Sequence, residues 1–210
     1  DDVKDWNHTI SDAERNLLTQ IFRFFTQSDI EVNNCYMRHY TRVFKPTEVQ
    51  MMLAAFSNME TIHVAAYSHL LDTIGMPEAE YEAFLQYKEM KDKYDYMQIW
   101  GIGPEDEYTD EHGDLRLTAQ GKRNIAKTLA VFGAFTEGLQ LFASFAMLMN
   151  FPRFNKMKGM GQIVTWSVRD ESLHCESIIR LFRTFCKENL EIWDDEMRSD
   201  LIEACKTIVS

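Results

Sequence analysis

The sequence has few cysteines, and their spacing indicates neither a zinc site nor a redox motif. Its 210 residues include four cysteines, and no two of them form a Cys-x-x-Cys pair. A chain of this length can bury enough surface to fold without disulfide bonds, and scattered cysteines are typical of reducing compartments. We therefore expect free thiols and a cytoplasmic location.

Positive charge is also scarce. Lysine and arginine number 22 against 33 aspartates and glutamates, which gives a formal net charge of −11. Nucleic-acid binding needs clustered lysine and arginine to neutralise phosphates, so this balance argues against a nucleic-acid partner. Most of the acidic excess is expected to serve solubility, and a few carboxylates remain available for a metal centre.

The sequence shows no signal peptide and no hydrophobic run that would cross a bilayer comfortably. The most apolar stretch, residues 139–151, is shorter than the roughly 20 residues required and contains Gln140 and Ser144. It predicts a core helix and no membrane partner. Because the chain begins at Asp1 without methionine and ends within a helical pattern, we expect it to be a piece of a longer protein.

Sustained alternation of polar and apolar residues, which would indicate strands, is absent from the sequence. Apolar residues recur at helical spacing instead. A Ser-x-x-Glu capping box at residues 11–14 begins a helix that continues toward residue 40. A Thr-x-x-Gln box at residues 47–50 begins a second helix, which Gly75 and Pro77 end. These patterns predict an all-α fold in one domain over residues 1–210.

Further helices are predicted along the rest of the chain. The expected spans are residues 78–97, residues 118–149 with a possible break near Lys127, residues 158–189, and a last helix from Asp194. The acidic stretch at residues 101–114 is expected to be a loop or a small irregular insert.

Two Glu-x-x-His motifs carry most of the chemical information: Glu60 with His63, and Glu171 with His174. Residues three apart on a helix share a face and are separated by about 4.5 Å along the axis, so carboxylate and imidazole point into the same space. Both motifs lie in apolar helices, where uncompensated charge is costly. A single motif would be read as a solvated helix position, but two favour a shared metal site.

A dinuclear centre in a four-helix bundle takes Glu-x-x-His from two helices and one carboxylate from each of the others. One acid in apolar surroundings precedes each motif, at positions 29 and 137. The six candidate ligands are therefore Asp29, Glu60, His63, Glu137, Glu171 and His174. Carboxylate and imidazole without thiolate suit iron or manganese and argue against structural zinc.

Around these residues the chain resembles the radical-generating small subunit of class I ribonucleotide reductase, a ferritin-like helical bundle with a dinuclear metal site in its four core helices. The most specific matches are Phe-Phe-Thr-Gln-Ser-Asp (24–29), Met-Glu-Thr-Ile-His-Val-Ala-Ala-Tyr (59–67), Glu-Gly-Leu-Gln-Leu-Phe-Ala-Ser-Phe (137–145) and Val-Arg-Asp-Glu-Ser-Leu-His (168–174). The resemblance implies that the six residues bind two metals. It also implies that Tyr67 holds the radical and that Asp170 supports a ligand histidine.

The same resemblance implies a cofactor, partners and a reaction. Two irons are expected at the centre, with dimanganese or mixed manganese–iron as alternatives. Oxidation by dioxygen would produce a radical on Tyr67, in an apolar pocket walled by Leu141, Phe145 and Ile62. A homodimer would then pass the radical to a large catalytic subunit, which reduces ribonucleotides to deoxyribonucleotides.

The sequence departs from the family pattern at both ends. A Trp-x-Pro-x-Glu segment is not found upstream, and Trp6 lies too close to Asp29 to be its tryptophan. The C-terminal tail with its transfer tyrosine is not found either, so we expect metal binding by this piece but not radical transfer by this piece alone. Three alternatives remain: another oxygen-activating di-metal oxidase of ferritin-like fold, an iron-storage or peroxide-scavenging bundle, and a helical scaffold. The tyrosine one turn after His63 favours the reductase subunit.

Overall fold

The computed structural model describes residues 1–76 and 88–209, and these residues form a bundle of long helices. Its α-helices are α1 (Asp2–Lys4), α2 (Asp12–Cys35), α3 (Thr41–Val43), α4 (Thr47–Ile74), α5 (Lys88–Gln98), α6 (Ala119–Leu129), α7 (Phe142–Arg153), α8 (Lys158–Glu188) and α9 (Asp195–Val209). Three segments have π-helical hydrogen bonding: π1 (Asp5–Thr9), π2 (Tyr36–Tyr40) and π3 (Ala130–Leu141). The predicted all-α class is confirmed.

The starts of α2 and α4 agree with the sequence patterns, but only one is capped as expected. Ser11 and Glu14 form the predicted capping box, with each side chain accepting a hydrogen bond from the other residue's backbone N–H. The second box is wrong, since Thr47 is already helical and Pro46 occupies the N-cap without a side-chain hydrogen bond. Helix α4 ends at Gly75, whose φ of 76° is a left-handed conformation that favours glycine.

The third long run is continuous, without the break expected near Lys127. Helix α6 passes into π3 and π3 into α7, so the hydrogen-bonding pattern changes while the backbone stays helical. The whole run, Ala119–Arg153, is long and apolar enough to cross a membrane by length and composition. It nevertheless packs against α8 as a core helix of the bundle, so closely that a β-carbon at Gly133 would lie 2.2 Å from Ile178 Cγ2.

The structure corrects the loop expected at residues 101–114 and confirms only part of the helix expected at residues 78–97. The region expected to be a loop contributes to a small antiparallel ribbon, in which β1 (Glu107–Thr109) pairs with β2 (Leu115–Leu117). Strands of three residues are too short to show a detectable alternation. Helix α5 confirms part of the helix predicted at residues 78–97, and the remainder, with Pro77, lies outside the described residues.

Two clusters of buried side chains form the core. The Tyr67 cluster joins Tyr67 to Phe25 and Phe145, among others from α2, α4, α7 and α8. The Tyr36 cluster joins Tyr36 to Phe56 and includes residues from α6, π3 and α9. Each cluster thus contains a buried tyrosine, and both contain residues of the helices that carry the Glu-x-x-His motifs.

Candidate metal centre

The structure brings the six candidate ligands together inside the bundle. Helix α2 supplies one aspartate, π3 supplies one glutamate, and α4 and α8 each supply a Glu-x-x-His pair. The three-residue spacing keeps both members of each pair on the buried face of their helix. None of the six residues is more than 4% exposed: Asp29, Glu60, His63, Glu137, Glu171 and His174.

The donor atoms form two groups that share one carboxylate. Within each group, one donor atom from every residue lies within 4.8 Å of the others. We call the first group (Asp29, Glu60, His63) the His63 position and the second group (Glu60, Glu137, Glu171, His174) the His174 position. Glu60 belongs to both, because its Oε2 lies 3.4 Å from His63 Nδ1 and its Oε1 lies 3.0 Å from His174 Nδ1.

Glu171 joins the two positions in the same manner. Its Oε1 lies 3.1 Å from His63 Nδ1 and its Oε2 lies 3.3 Å from His174 Nδ1. The two imidazole ring centroids are 6.2 Å apart. Cations in two-metal sites are typically about 3.5–4 Å apart, so Glu60 and Glu171, which each reach both histidines, are the carboxylates that would contact both cations.

Several of these buried donor atoms have no hydrogen-bond partner among the described residues. They are Asp29 Oδ2, Glu60 Oε1, Glu137 Oε2, Glu171 Oε2 and both ring nitrogens of His174. The short distances from His174 Nδ1 to the carboxylate oxygens therefore do not have the geometry of hydrogen bonds. Each buried polar atom without a partner destabilises the folded state by about 1–3 kcal/mol. Four carboxylates balance the charge of two divalent cations, and oxygen with imidazole ligands suits iron or manganese. The residues present thus fit a dinuclear centre.

The electrostatics of the cluster also favour bound cations. Burial and the neighbouring Glu60 raise the pKa of Asp29 well above its ordinary value, and burial raises the pKa of Glu137 to about 8 against the opposing effect of His174. Burial lowers the pKa of both histidines, but the surrounding carboxylates outweigh it and raise the pKa of His63 to about 11. These directions indicate a buried negative field that stabilises positive charge.

Asp170 lies beside the cluster, where the resemblance implies a supporting role. Its Oδ2 is 3.4 Å from His63 Nε2. Because His63 Nδ1 faces Glu60 and Glu171, a cation bound at Nδ1 leaves the proton on Nε2, from which it can be donated to Asp170. The contact therefore orients the imidazole that belongs to the His63 position.

Tyr67 is buried in its cluster, and its pocket differs from the expected one at one wall. Its ring centroid is 5.1 Å from that of Phe25, and Leu141 and Phe145 belong to the same cluster. Ile62 is 53% exposed, so its expected place in the wall is wrong; as the neighbour of His63 it points to a different side of α4.

The sequence reasoning missed two contacts of buried hydroxyl groups. Tyr67 donates a hydrogen bond to the Ser167 hydroxyl at 3.1 Å. The signal was present, since Ser167 precedes Glu171 by one helical turn. Tyr36 donates a hydrogen bond to Glu137 Oε1, and it follows Asp29 by seven residues, or about two turns.

Comparison with known proteins agrees with this fold. The model of the family "Ribonucleotide reductase, small chain" matches residues 1–210. A protein of Invertebrate iridescent virus 6, named as a probable ribonucleoside-diphosphate reductase small subunit, is 47% identical over 203 residues, covering 97% of this chain and 55% of the viral protein. A protein of Invertebrate iridescent virus 3 with a similar name is 43% identical over 194 residues, covering 90% of this chain and 50% of the viral protein.

A solved structure shows the same fold at lower identity. A crystal structure from Bacillus halodurans, described as that of a candidate class I ribonucleotide reductase, matches 99% of this chain and 70% of its own chain, with a TM-score of 0.82 and 18% identity. The chain spans about half the length of the viral relatives. Since the family model covers all 210 residues, the chain belongs to the ribonucleotide reductase small-chain family, and its fold is the ferritin-like helical bundle predicted from the sequence.

Proposed function

We propose that this chain generates and stores the radical for a class I ribonucleotide reductase at a dinuclear metal centre. The observation that carries the proposal is the pair of buried donor groups joined by Glu60 and Glu171, in a chain of this family. Two irons are the preferred occupants, and dimanganese or manganese–iron would use the same ligands. When bound, the metals supply the oxidising power of activated dioxygen.

The side chains of the site divide the remaining work. Glu60 and Glu171 would contact both metals, and Asp29, His63, Glu137 and His174 would complete the two positions. Tyr67 would give up one electron and its phenolic proton to dioxygen as it is reduced to water, and would thereby become a neutral radical. Its burial among aromatic rings keeps water and reductants away from the radical oxygen.

The proposed partners are a second copy of this chain and a large catalytic subunit that binds and reduces the ribonucleotide. Large apolar side chains on the adjacent helices α4 and α8 support the homodimer, since Ile62, Trp166 and Leu173 are each more than half exposed. Sedimentation at micromolar concentration is expected to show twice the chain mass of 24.6 kDa. A single species at the chain mass would contradict the homodimer.

The central experiment is anaerobic loading of the metal-free protein, followed by exposure to oxygen. We expect two irons per chain and, after oxygen is admitted, the electron paramagnetic resonance (EPR) signal of a tyrosyl radical. Parallel loading with manganese, or with both metals, identifies the preferred pair. A wild-type protein that binds fewer than two metals would refute the dinuclear centre. A fully loaded protein with no organic radical would refute the tyrosyl assignment.

A further inference from the structure

A buried phenol touches the candidate ligand Glu137. Both Tyr36 and Glu137 are 0% exposed, so water does not compete for the hydrogen bond between them. The Tyr36 ring also meets the His174 ring edge-on, with centroids 6.3 Å apart. Tyr36 thus contacts two members of the His174 position.

The hydrogen bond from Tyr36 makes the two carboxylate oxygens of Glu137 different from each other. Oε1 accepts from Tyr36, whereas Oε2 has no hydrogen-bond partner among the described residues. A glutamate side chain has three rotatable bonds, and anchoring one oxygen restricts how its carboxylate turns. Hydrogen-bond partners of this kind commonly change metal affinity by about tenfold to hundredfold.

The continuous helix formed by α2 and π2 places a residue at each of the two metal positions. Asp29 on α2 belongs to the His63 position, and two turns later the same run places Tyr36 against a residue of the His174 position. Asp170 contacts His63, whereas Tyr36 contacts Glu137, so each position has its own supporting residue. Removal of one support should therefore affect the two positions unequally.

We propose that Tyr36 is a positioning residue that holds Glu137 and strengthens metal binding selectively at the His174 position. This inference rests on the proposed dinuclear centre. It requires no oxidation of Tyr36 and no change in Tyr67.

The test is a calorimetric titration of the full metal-free chain with Co²⁺, comparing wild type, Tyr36→Phe and Tyr40→Phe. Tyr40 is the matched control, because it is equally buried, lies in the same π2 segment, and its hydroxyl interacts with the Cys35 thiol rather than with a candidate metal ligand. We expect two Co²⁺ sites in wild type. Tyr36→Phe should weaken one site by roughly tenfold to hundredfold and leave the other unchanged, while Tyr40→Phe should change neither.

A second comparison assigns the weakened site. Glu137→Ala should abolish one Co²⁺ site, and adding Tyr36→Phe to that variant should leave the remaining affinity unchanged, because the two residues act as a pair. Thermal unfolding of each variant without metal checks that the fold is retained.

The outcomes separate this inference from the function on which it rests. A wild-type protein without Co²⁺ sites would overturn both. Two wild-type sites that are unchanged in Tyr36→Phe would overturn only the role of Tyr36. An equal loss in Tyr40→Phe, or a further loss when Tyr36→Phe is added to Glu137→Ala, would also overturn it.

Discussion

The Tyr67 cluster and the Tyr36 cluster each place a buried phenol near the candidate metal ligands, yet the two phenols have different hydrogen-bond acceptors. Tyr67 donates to the neutral hydroxyl of Ser167, which is not one of the six candidate ligands. Tyr36 donates to the carboxylate of Glu137, which is one of them. Burial raises the pKa of both phenols, so both stay protonated at neutral pH.

The comparison shows that residue type and burial alone do not set the role of a tyrosine in this core. A phenol bonded to a ligand is tied to the geometry of the metal, whereas a phenol bonded to a separate hydroxyl is free to lose an electron without displacing a ligand. The proposed roles follow this difference: positioning for Tyr36 and radical storage for Tyr67.

The largest effect is expected for Glu171, whose carboxylate reaches both the His63 position and the His174 position. Glu171→Ala should abolish binding of both metals, because the two oxygens of Glu171 reach both histidines. Glu137→Ala, by contrast, should remove one. Metal content of the purified and reloaded variants measures the difference, and a Glu171→Ala protein that keeps one tightly bound metal would contradict the bridging role.

Exchange of Tyr67 tests the assignment of the radical. Tyr67→Phe should keep both metals and lose the organic radical signal, because the ring still fills its space and phenylalanine is much harder to oxidise. The free energy of unfolding should change by less than about 1.5 kcal/mol, as for other volume-conserving exchanges. EPR spectroscopy after oxygen exposure is the measurement, with Tyr36→Phe as the comparison that should still form the radical.

Reversal of those two outcomes would exchange the proposed roles of the phenols. If Tyr67→Phe were still an active reductase with a large subunit, the oxidising equivalent would reside on the metals rather than on a tyrosine.

A smaller effect is expected at the support of the His63 position. Asp170→Ala should weaken one of the two metal sites by roughly tenfold, because His63 loses the acceptor that orients its ring. This variant mirrors Tyr36→Phe, so the two should affect different sites in the same titration. If both variants weaken the same site, the division of supports between the two positions is wrong.

The smallest effect is expected at Ser167. Ser167→Ala should leave metal content unchanged and still form the radical, but the high-field EPR spectrum should shift because the radical oxygen loses its neighbouring hydroxyl. Ser144→Ala provides a buried serine control on α7. Identical spectra for Ser167→Ala and wild type would show that this hydroxyl does not contact the radical.

The fold and the six clustered residues were accessible from the sequence because both depend on helical spacing. Glu60 and His63 share a face wherever their helix goes, and the apolar surroundings of Glu137 already required a partner for its charge. Contacts that depend on rotation between helices were not accessible. The hydrogen bond from Tyr36 to Glu137 joins π2 to π3. Both segments are π-helical, so the spacing of an α-helix does not predict which way their side chains point.

The same limit explains the local errors. The resemblance implies that Ile62 lines the Tyr67 pocket, but a residue adjacent to His63 lies about 100° around α4 from it and faces outward. Thr47 matched the sequence of a capping box, although Pro46 had already taken the N-cap place. In both cases the expected pattern is present in the sequence, but the residue that matters lies one position away. Pro46 rather than Thr47 is the N-cap, and His63 rather than Ile62 faces inward.

The winding of π3 has a consequence for how this family should be aligned. Hydrogen bonds in a π-helix close over one more residue than in an α-helix, so the segment Ala130–Leu141 holds sequence that an α-helix of equal height would not need. A relative lacking one residue before Glu137 can remain fully helical there by adopting ordinary winding. A one-residue gap at this point would therefore mark a change of helix winding rather than a loop, and an alignment that moved such a gap past Glu137 would pair this glutamate with the wrong residue.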